Sequence, residues 1–532
     1  MTIPTSDPYV LAIDLGTSGC KAALVSIKGH VAAWEFEPVE AFYAPGGLAE
    51  QRPDDWWDAF RTTAKKLIHQ NIVPKDQIIA ICCSTQGEGT VPVDRDGTPL
   101  MNCVLWQDSR GAENLKSIIG GPIKVAGYDL FKLIRYIRLT GGAPSLTGKD
   151  PASHMLLIRD SFPEVYEKTY KFLNVLDYMN LRLTGRYVAT VDSILTSWVT
   201  DNRDLNNIHY HDGLIKNCGI DKDKLPEIIK CTDTVGELLP DVATELGLSP
   251  KTKIIAGAID TSAAAVGSGA VRDYDPHIYL GTSSWICAHV PFKKTDISTS
   301  MGSVPCARPD KYLLIGLQAT AGGNLTFLKE KVLYHKDELL QEEKLPDVYK
   351  IMDRIADRVP AGSNGVIYTP WIYGERAPVE DHTVRASIYN LSLENNRGDI
   401  IRAYLEGVAL NTRWMLNPAE KFLGRKAEHI HIIGGGGSSD VWCQIFADVM
   451  NRTMLQPKDP IQANVRGAAF MAAYGLGHLE FDDIPDLIEY NGHYEPNPQH
   501  TRTYDDLFKE YVNIYHANKK IFKRLNRTRP TT

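Results

Sequence analysis

Val10-Leu-Ala-Ile-Asp-Leu-Gly-Thr-Ser-Gly19 is the stretch that decides the fold, because its core, Leu15-Gly-Thr-Ser18, recurs as Leu280-Gly-Thr-Ser283 about half a chain later. Each copy follows an apolar run that predicts a buried strand. A strand that ends in glycine and small hydroxyl residues makes a tight turn with free backbone N–H groups, which accepts an anion, most often a phosphate. The repeat therefore predicts a duplicated fold that closes on one polyphosphate ligand, with a chance match of four common residues as the alternative.

Composition places the chain among ordinary globular proteins. With 532 residues, 43% hydrophobic and 23% charged, it is long enough for two to four domains. The net charge of −7, without a long basic run, argues against a nucleic-acid partner, and no apolar window reaches the roughly 18 residues of a membrane helix. The nine cysteines lack metal-ligand spacing, and the N-terminus lacks the features of a signal peptide. We therefore expect free thiols and a cytoplasmic protein without membrane partners.

The order of predicted elements favours an α/β fold. Apolar strands and helical patterns alternate along both halves, which predicts a ligand cleft between them. We place the domain boundary after Gly257, giving an N-terminal domain of residues 1–257 and a C-terminal domain of residues 258–532. Residues 201–240 are loop-rich and hard to assign, and the charged segment 333–346 is expected to be an insertion or a surface helix. The clearest predicted elements are a hairpin over 10–25, helices over 53–70, 399–416 and 440–451, and strands over 77–83, 253–257, 277–280, 312–316 and 429–433.

Two aspartates follow apolar strands at positions suited to chemistry. Asp14 precedes the first glycine turn, where a carboxylate can hold Mg²⁺ or its water shell. The alternative is a hairpin whose Asp14 caps a nearby backbone group. Asp260, in Ala258-Ile-Asp260, fits a general base that takes a proton from a hydroxyl. Its alternative is an N-cap for a helix over 261–266, which is by far the commoner role for such an aspartate.

A run of four glycines stands between a predicted strand and a predicted helix. The stretch is Ile432-Ile-Gly-Gly-Gly-Gly-Ser-Ser-Asp440. Its four glycines have no side chains, so a ligand could approach the backbone directly, and the Ser-Ser-Asp end favours a helix N-cap. A strand, a glycine loop and a helix start form a nucleotide platform. The spacing differs from the dinucleotide fingerprint, and the chain has no P-loop motif. A merely flexible loop is the alternative.

Groups that recognise hydroxyls follow two successive strands. Trp106-Gln-Asp-Ser-Arg110 and Gln86-Gly-Glu88 combine carboxylate, amide and guanidinium groups with an aromatic platform, as a polyol or sugar site requires. A surface turn with a partly buried Trp is the alternative. Tyr373-Gly-Glu-Arg-Ala-Pro378 could likewise be an ordered loop held by a Glu–Arg pair.

Taken in this order, these segments resemble the FGGY family of carbohydrate kinases, within the actin/hexokinase/Hsp70-type ATPase fold. The resemblance covers essentially the whole chain, from Ile13 to Ala469. It implies an α/β protein of two RNase H-like domains with a central cleft. It also implies phosphorylation of a sugar or polyol hydroxyl that depends on ATP and Mg²⁺. A small-molecule sugar or polyol is then the partner, and since many relatives pair, a homodimer is a further expectation.

The resemblance also implies a role for each matching residue. For Asp260 it favours the catalytic interpretation over the helix-capping interpretation. The implied roles are a general base, Asp260; a metal-supporting carboxylate, Asp14; a phosphate cradle, Gly16, Thr17, Ser18, Lys21, Gly281, Thr282 and Ser283; an adenosine platform, Gly434, Gly435, Gly436, Gly437 and Ser438 with Gly322 and Gly323; and a sugar site, Gln86, Gly87, Glu88, Trp106 and Asp108 with Asp260.

The substrate is less sharply implied. Within the family the chain is most similar to xylulokinases, which implies a ketopentose such as xylulose. Xylulokinases usually carry Gln-Met-His-Gly where this chain has Gln86-Gly-Glu-Gly89, and glycerol kinases carry Gln-Arg-Glu there. Glycine at position 87 should enlarge the pocket. Glycerol, another polyol or an aldonate are alternative substrates, and a non-catalytic ATP-binding regulatory protein is the alternative from another class.

Overall fold

Two central sheets organise the protein in the computed structural model, which describes residues 7–125, 127–333 and 347–526. The segment predicted over 333–346 therefore lies, apart from Leu333, outside the described residues. The first sheet has six strands in the order β5-β6-β4-β1-β2-β3. Its strands are β1 (Tyr9–Gly16), β2 (Gly19–Ser26), β3 (Val31–Pro38), β4 (Ile78–Thr85), β5 (Thr234–Glu237) and β6 (Lys253–Ile259).

The second sheet has eight strands in the order β9-β10-β11-β8-β7-β12-β13-β14. Its strands are β7 (Pro276–Leu280), β8 (Ser284–Val290), β9 (Thr295–Asp296), β10 (Met301–Pro305), β11 (Tyr312–Gln318), β12 (His429–Ile433), β13 (Thr453–Pro457) and β14 (Tyr490–Tyr494). In both sheets an antiparallel three-strand meander is followed by two parallel strands, β4 and β6 in the first and β12 and β13 in the second. The duplicated fold predicted from the repeat is thus confirmed.

Sixteen α-helices in the described residues cover and connect these sheets. They are α1 (Pro53–His69), α2 (Ala112–Ile119), α3 (Leu130–Thr140), α4 (Pro151–Ser161), α5 (Pro163–Lys168), α6 (Val175–Thr184), α7 (Asp212–Cys218), α8 (Pro240–Leu246), α9 (Asp260–Gly267), α10 (Gly322–Phe327), α11 (Val348–Asp357), α12 (Arg397–Leu423), α13 (Asp440–Met450), α14 (Ala463–Gly475), α15 (Ile484–Leu487) and α16 (Thr501–Asn526). Among these residues, no helix is both long and apolar enough to cross a bilayer.

Short strand pairs occupy the connections. They are Phe42–Ala44 with Leu48–Gln51 and Cys103–Val104, Val91–Val93 with Lys171–Leu173, Lys124–Val125 with Tyr128–Asp129, Val188–Thr190 with Glu227–Ile229, Thr200–Asp201 with His209–Tyr210, and Ile367–Thr369 with Ser387–Tyr389. The loop-rich region 201–240 is thereby resolved into three of these strands, helix α7, strand β5 and the first residue of α8. All nine cysteines are buried and free, as the sequence predicted.

Helices α9 and α14 hold the two halves together. Although α14 belongs to the C-terminal half of the chain, it packs on β1 and β4 of the first sheet as well as on α9. The two helices approach so closely that a Cβ on Gly267 would collide with the Ala463 carbonyl, and one on Gly467 with the Ala263 carbonyl. Strand β6 stays in the first sheet up to Ile259. The domain boundary after Gly257 stays a prediction.

Candidate active site

Acidic side chains collect at the carboxyl ends of three neighbouring strands of the first sheet. Asp14 lies near the end of β1, Glu88 follows β4, and Asp260 follows β6. These strands are adjacent and parallel, so their carboxyl ends share one edge of the sheet. Ligands of such sheets bind at this edge, in the crevice outside the strand ends.

Asp14 is held from both halves of the chain. Its Oδ1 accepts hydrogen bonds from Ser84 Oγ at 3.3 Å and from Asn464 Nδ2 at 3.0 Å. Its Oδ2 lies 3.6 Å from Lys21 Nζ, and Lys21 in turn donates to the Ile461 carbonyl at 2.8 Å. The carboxylate is 17% exposed. A partly exposed carboxylate with one lightly engaged oxygen fits Mg²⁺, which uses one or two protein carboxylates together with phosphates and water.

Asp260 begins helix α9, where one of its carboxylate oxygens accepts a hydrogen bond from Thr261 N at 2.7 Å. Asp260 is the first residue of the helix, and the N-cap is Ile259 without a side-chain cap, so the N-cap interpretation of Asp260 is wrong. The pKa of Asp260 is raised to about 7, first by burial and then by the nearby charges of Asp14, Glu88 and Asp192. The hydrogen bond from Thr261 N acts in the opposite direction and lowers the pKa. A carboxyl group with a pKa near the working pH is suited to accept a proton during a reaction.

Glu88 has a strained backbone and a perturbed side chain. Its φ of 62° lies in the left-handed region, which non-glycine residues rarely adopt and which clusters at functional sites. Desolvation raises the pKa of Glu88 to about 7, and the positive charges of Arg376 and Lys149 oppose this rise. Arg376 comes from the C-terminal half, so charges from both halves meet around Glu88.

The first glycine turn is braced by side chains. Thr17 Oγ1 donates to Gln86 Oε1 at 2.7 Å and accepts from Trp106 Nε1 at 3.1 Å. Gln51 Nε2 donates to the Thr17 carbonyl at 2.8 Å, and its Oε1 accepts from Gln86 Nε2 at 2.8 Å. Both ends of the buried Gln86 amide are therefore engaged by protein. The half-buried Trp106 connects this turn with the predicted sugar site.

Asp108 and Gly87 differ in accessibility within the predicted sugar site. The Asp108 side chain is fully buried, accepts from Ala49 N at 2.9 Å and pairs with Arg110 at 2.8 Å. It thus shapes the loop from inside, and direct substrate contact stays a prediction. At Gly87 an added Cβ would lie 3.7 Å from Ile259, an ordinary contact distance. The absence of a side chain at position 87 therefore leaves space next to Glu88.

The second glycine turn is braced by backbone. The N–H groups of Ala321, Gly322 and Gly323 donate to the carbonyls of Thr282, Gly281 and Thr282 at 2.8, 2.8 and 3.1 Å. A Cβ on Gly322 would come within 2.7 Å of the Gly281 carbonyl oxygen, which explains the glycine. Because these amides donate to carbonyls of the turn, Gly322 and Gly323 support the turn. Their contact with a nucleotide stays a prediction.

The four-glycine loop lies beside this second turn. Gly434 has a φ of 86°, and a Cβ there would lie 2.7 Å from the Leu280 carbonyl oxygen. Gly435 is exposed, and nothing would lie within 4 Å of an added Cβ. Ser439 caps helix α13 by accepting from Trp442 N at 3.1 Å, so the predicted serine cap is confirmed at that residue. Within the loop, the exposed backbone is therefore that of Gly435.

The structure brings the two turns toward the same space. Burial raises the pKa of Tyr279, which lies on the second sheet, and the charges of Asp14 and Asp260 at the edge of the first sheet raise it further.

The structure also adds residues that sequence reasoning missed. Tyr279 takes the place of Asp14 in the repeat, since each stands two residues before the turn glycine. That alignment could have identified Tyr279. The contacts of Asn464 and Lys149 had no local signal, and the loop that carries Arg376 was predicted without its approach to Glu88.

Glu375 belongs to a loop that supports Arg376. Its buried carboxylate accepts from Ala319 N at 3.0 Å, from Arg376 N at 2.8 Å and from Asn411 Nδ2 at 2.5 Å. Burial raises the pKa of Glu375 to about 7. The loop is therefore ordered through backbone and amide contacts, and the exposed Arg376 side chain is left to face Glu88 and Lys149.

Comparisons with known proteins cover both halves of the chain. Residues 9–267 match the N-terminal domain of the FGGY family of carbohydrate kinases, and residues 277–476 match its C-terminal domain. The xylulose kinase of Bacillus subtilis (strain 168) is 28% identical over 521 residues, covering 96% of this chain and 98% of that protein. The gluconokinase of the same strain is 26% identical over 513 residues, covering 95% of each.

Solved structures are also similar. The crystal structure of gluconate kinase from Lactobacillus acidophilus aligns with a TM-score of 0.83 at 25% identity, covering 98% of this chain and all of that chain. The ligand-bound xylulose kinase from the same organism aligns with a TM-score of 0.83 at 25% identity and covers 97% of this chain. The predicted two-domain fold is thereby confirmed.

Proposed function

Because the chain belongs to the FGGY family of carbohydrate kinases, we propose that it transfers the γ-phosphoryl group of ATP to a hydroxyl of a ketopentose such as xylulose. The observation that carries the proposal is the meeting of Asp14, Glu88 and Asp260 at one sheet edge, opposite the glycine-rich ends of the second sheet. Acids on one side and bare backbone on the other suit a sugar hydroxyl facing a nucleotide.

Asp260 is the proposed general base. Its carboxylate accepts the proton of the attacking hydroxyl as the oxygen bonds to phosphorus, and the ADP oxygen leaves with the electrons of the broken bond. A pKa of about 7 keeps a large fraction of Asp260 ionised at neutral pH while giving it enough basicity for the transfer. The hydrogen bond from Thr261 N fixes the carboxylate in place.

The remaining groups position the two substrates and neutralise the phosphate charge. These two effects supply most of the catalysis in phosphoryl transfer. Asp14 is the proposed Mg²⁺ ligand, directly or through water, and the metal when bound neutralises phosphate charge. Lys21 and the amides of residues 16–18 and 281–283 are proposed to hold the phosphates. Gly434–Gly437 and Ser438 are the proposed adenosine surface, and Glu88 and Trp106 the proposed contacts to the sugar.

The experiment is an ADP-release assay with ATP and Mg²⁺ against xylulose, ribulose, gluconate, glycerol and no sugar. We expect turnover to be highest with one ketopentose and at least tenfold lower with glycerol. Comparable kcat/KM for glycerol and the ketopentoses would refute the substrate proposal while leaving the kinase mechanism intact. ATP binding without stimulation by any sugar would support the non-catalytic alternative.

An aldonate is the second candidate, and one observation favours it. Lys149 and Arg376 both lie close enough to Glu88 to lower its pKa, so two cations flank the proposed sugar site. A carboxylate at one end of the substrate would complement them. If gluconate is the best substrate, Arg376→Gln should raise its KM at least tenfold and leave the KM for ATP unchanged. The cytoplasmic location and the homodimer stay predictions.

A further inference from the structure

Two histidines and an aspartate converge at the end of the second sheet that lies away from the cleft. Asp275 precedes β7, while His429 and His431 lie on β12. The parallel register pairs His277 with His431, which places Asp275 beside His429. Residues two apart on a strand point to the same face, so both imidazoles can reach one carboxylate. Among the described residues, this is the one group of three or more His, Cys, Asp or Glu whose ligand atoms lie within 4.8 Å of one another.

The ligand atoms of the three residues all lie within 4.8 Å of one another, close enough to be drawn onto one ion. His429 Nε2 lies 3.1 Å from Asp275 Oδ1, and His431 Nε2 lies 3.2 Å from Asp275 Oδ2. A tetrahedral ion with bonds of about 2.0 Å separates its ligand atoms by about 3.3 Å. Asp275 Oδ1 is buried, and despite its contact with His429 it has no hydrogen bond of acceptable geometry. That oxygen is thus available to a ligand between the three groups.

The surroundings also suit a metal. The Tyr490 hydroxyl lies 3.4 Å from His431 Nδ1, the nitrogen that faces away from Asp275. Such a partner fixes the orientation of a ligating imidazole. His431 is 3% exposed and His429 is 41% exposed, so the group has a rigid inner side and an open path to solvent. Water can complete the coordination from that side.

We propose that Asp275, His429 and His431 form a binding site for a divalent transition metal, with Zn²⁺ as the best match. Imidazole nitrogens with one carboxylate favour Zn²⁺ over Mg²⁺, which prefers oxygen ligands. The site is separate from the cleft: Asp275 precedes β7 and Gly281 follows it, so about 20 Å of extended chain lies between them. A bound ion would tie β7 to β12, the two strands that end in the glycine turn and the four-glycine loop.

The alternative is a metal-free ion pair. The two histidines would then contact the Asp275 carboxylate directly, with no ion between them. The groups that face the three residues include Tyr490, Arg272, Glu428 and the buried His277. This arrangement predicts no specific affinity for Zn²⁺ at pH 7.5.

The test is titration of the chelator-treated full chain with Zn²⁺ alone by calorimetry at pH 7.5, with Co²⁺ absorption as a readout of coordination. We expect one ion per chain, bound by Asp14→Asn as tightly as by the wild type. His429→Gln changes a half-exposed side chain and should fold, and we expect it to weaken affinity at least tenfold. His516→Gln, which alters an exposed histidine on α16, is the matched control.

Unchanged affinity in His429→Gln, or no binding by the wild type, would overturn the proposal. Equal weakening in His516→Gln would do so as well, because it would indicate binding to surface histidines in general. A tetrahedral Co²⁺ spectrum that is lost in His429→Gln and kept in His516→Gln would support it. The ADP-release activity of His429→Gln should equal that of the wild type, since the site lies away from the cleft.

Discussion

The two central sheets share a strand order but carry different chemistry at their carboxyl ends. Strands β1, β4 and β6 of the first sheet lead to Asp14, Glu88 and Asp260. The corresponding strands β7 and β12 of the second sheet lead to glycines at 281 and 434–437. Where the first copy of the repeat has Asp14, the second has Tyr279. One duplicated scaffold thus carries an acidic edge, to which we assign the proposed proton and metal chemistry, and a glycine edge, to which we assign the proposed backbone contacts.

The two glycine turns differ in the same way. The first is held by the Thr17, Gln86 and Trp106 side chains, whereas the second is held by the N–H groups of Ala321–Gly323. A turn braced by side chains is connected to the residues proposed to contact the sugar. The second turn, which is held by backbone and is proposed to contact the nucleotide, has no room for added atoms behind it at Gly322. Substitutions on each edge should therefore have separable effects on the two substrates.

The largest effect is expected on the acidic edge. Asp260→Asn keeps the shape and one acceptor oxygen but removes the basic carboxylate, so kcat should fall by about 10³-fold. The KM for ATP should change little, because the glycine edge is untouched. Steady-state ADP release measures both parameters. Asp241→Asn is the matched control, since Asp241 stands exposed in the first turn of α8. A loss of less than tenfold in Asp260→Asn would contradict the assignment of the base.

The second effect tests the glycine edge. In Gly322→Ala the new Cβ would lie 2.7 Å from the Gly281 carbonyl oxygen, so the second turn must shift. We expect kcat/KM for ATP to fall by about 50-fold, in line with the 1–3 kcal/mol typical of overpacking. Gly236→Ala is the control, because a Cβ there would make only 3.7 Å contacts with Thr184. Normal ATP kinetics in Gly322→Ala would show that the turn does not need this brace.

Sequence reasoning identified the local parts of this arrangement. Strand ends, glycine turns and the Ser439 cap depend on neighbouring residues, so apolar runs and small residues were enough to predict them. The strand of the Asp260 motif ends at Ile259, two residues beyond its predicted end. Element boundaries are set by pairing partners, which a single sequence does not display.

The long-range parts could not be predicted in the same way. Asn464 reaches Asp14 across 450 residues, and Arg376 approaches Glu88 from the other half of the chain. The Gly322–Gly323 pair was expected to face the nucleotide, but its amides are used to hold the second turn. A glycine in a sequence indicates that another group packs closely against the backbone, but it does not show whether that group is protein or ligand. The partner is decided by packing of the two halves.

The third effect is the pH dependence of the acidic edge. The pKa values of Asp260 and Glu88 are both raised to about 7, so each is protonated below and ionised above that pH. A base must be ionised to act, and kcat/KM for the sugar should therefore rise about tenfold between pH 6 and pH 8. Glu88→Gln removes one of the two titrations and should leave a profile with a single pKa. A flat wild-type profile over this range would contradict the raised pKa of Asp260.

The smallest effect compares the same residue type in the two turns. Thr17→Val removes a hydroxyl that bonds Gln86 and Trp106, and hydrogen bonds of this kind contribute about 1 kcal/mol each. We expect the KM for the sugar to rise by about fivefold to tenfold, because Trp106 loses its anchor next to the sugar site. The matched variant is Thr282→Val, whose exposed side chain lies at the equivalent position of the second turn. It should leave the sugar KM unchanged and affect only ATP. If Thr282→Val raised the KM for the sugar as much as Thr17→Val does, the division between an acidic edge and a glycine edge would have to be abandoned.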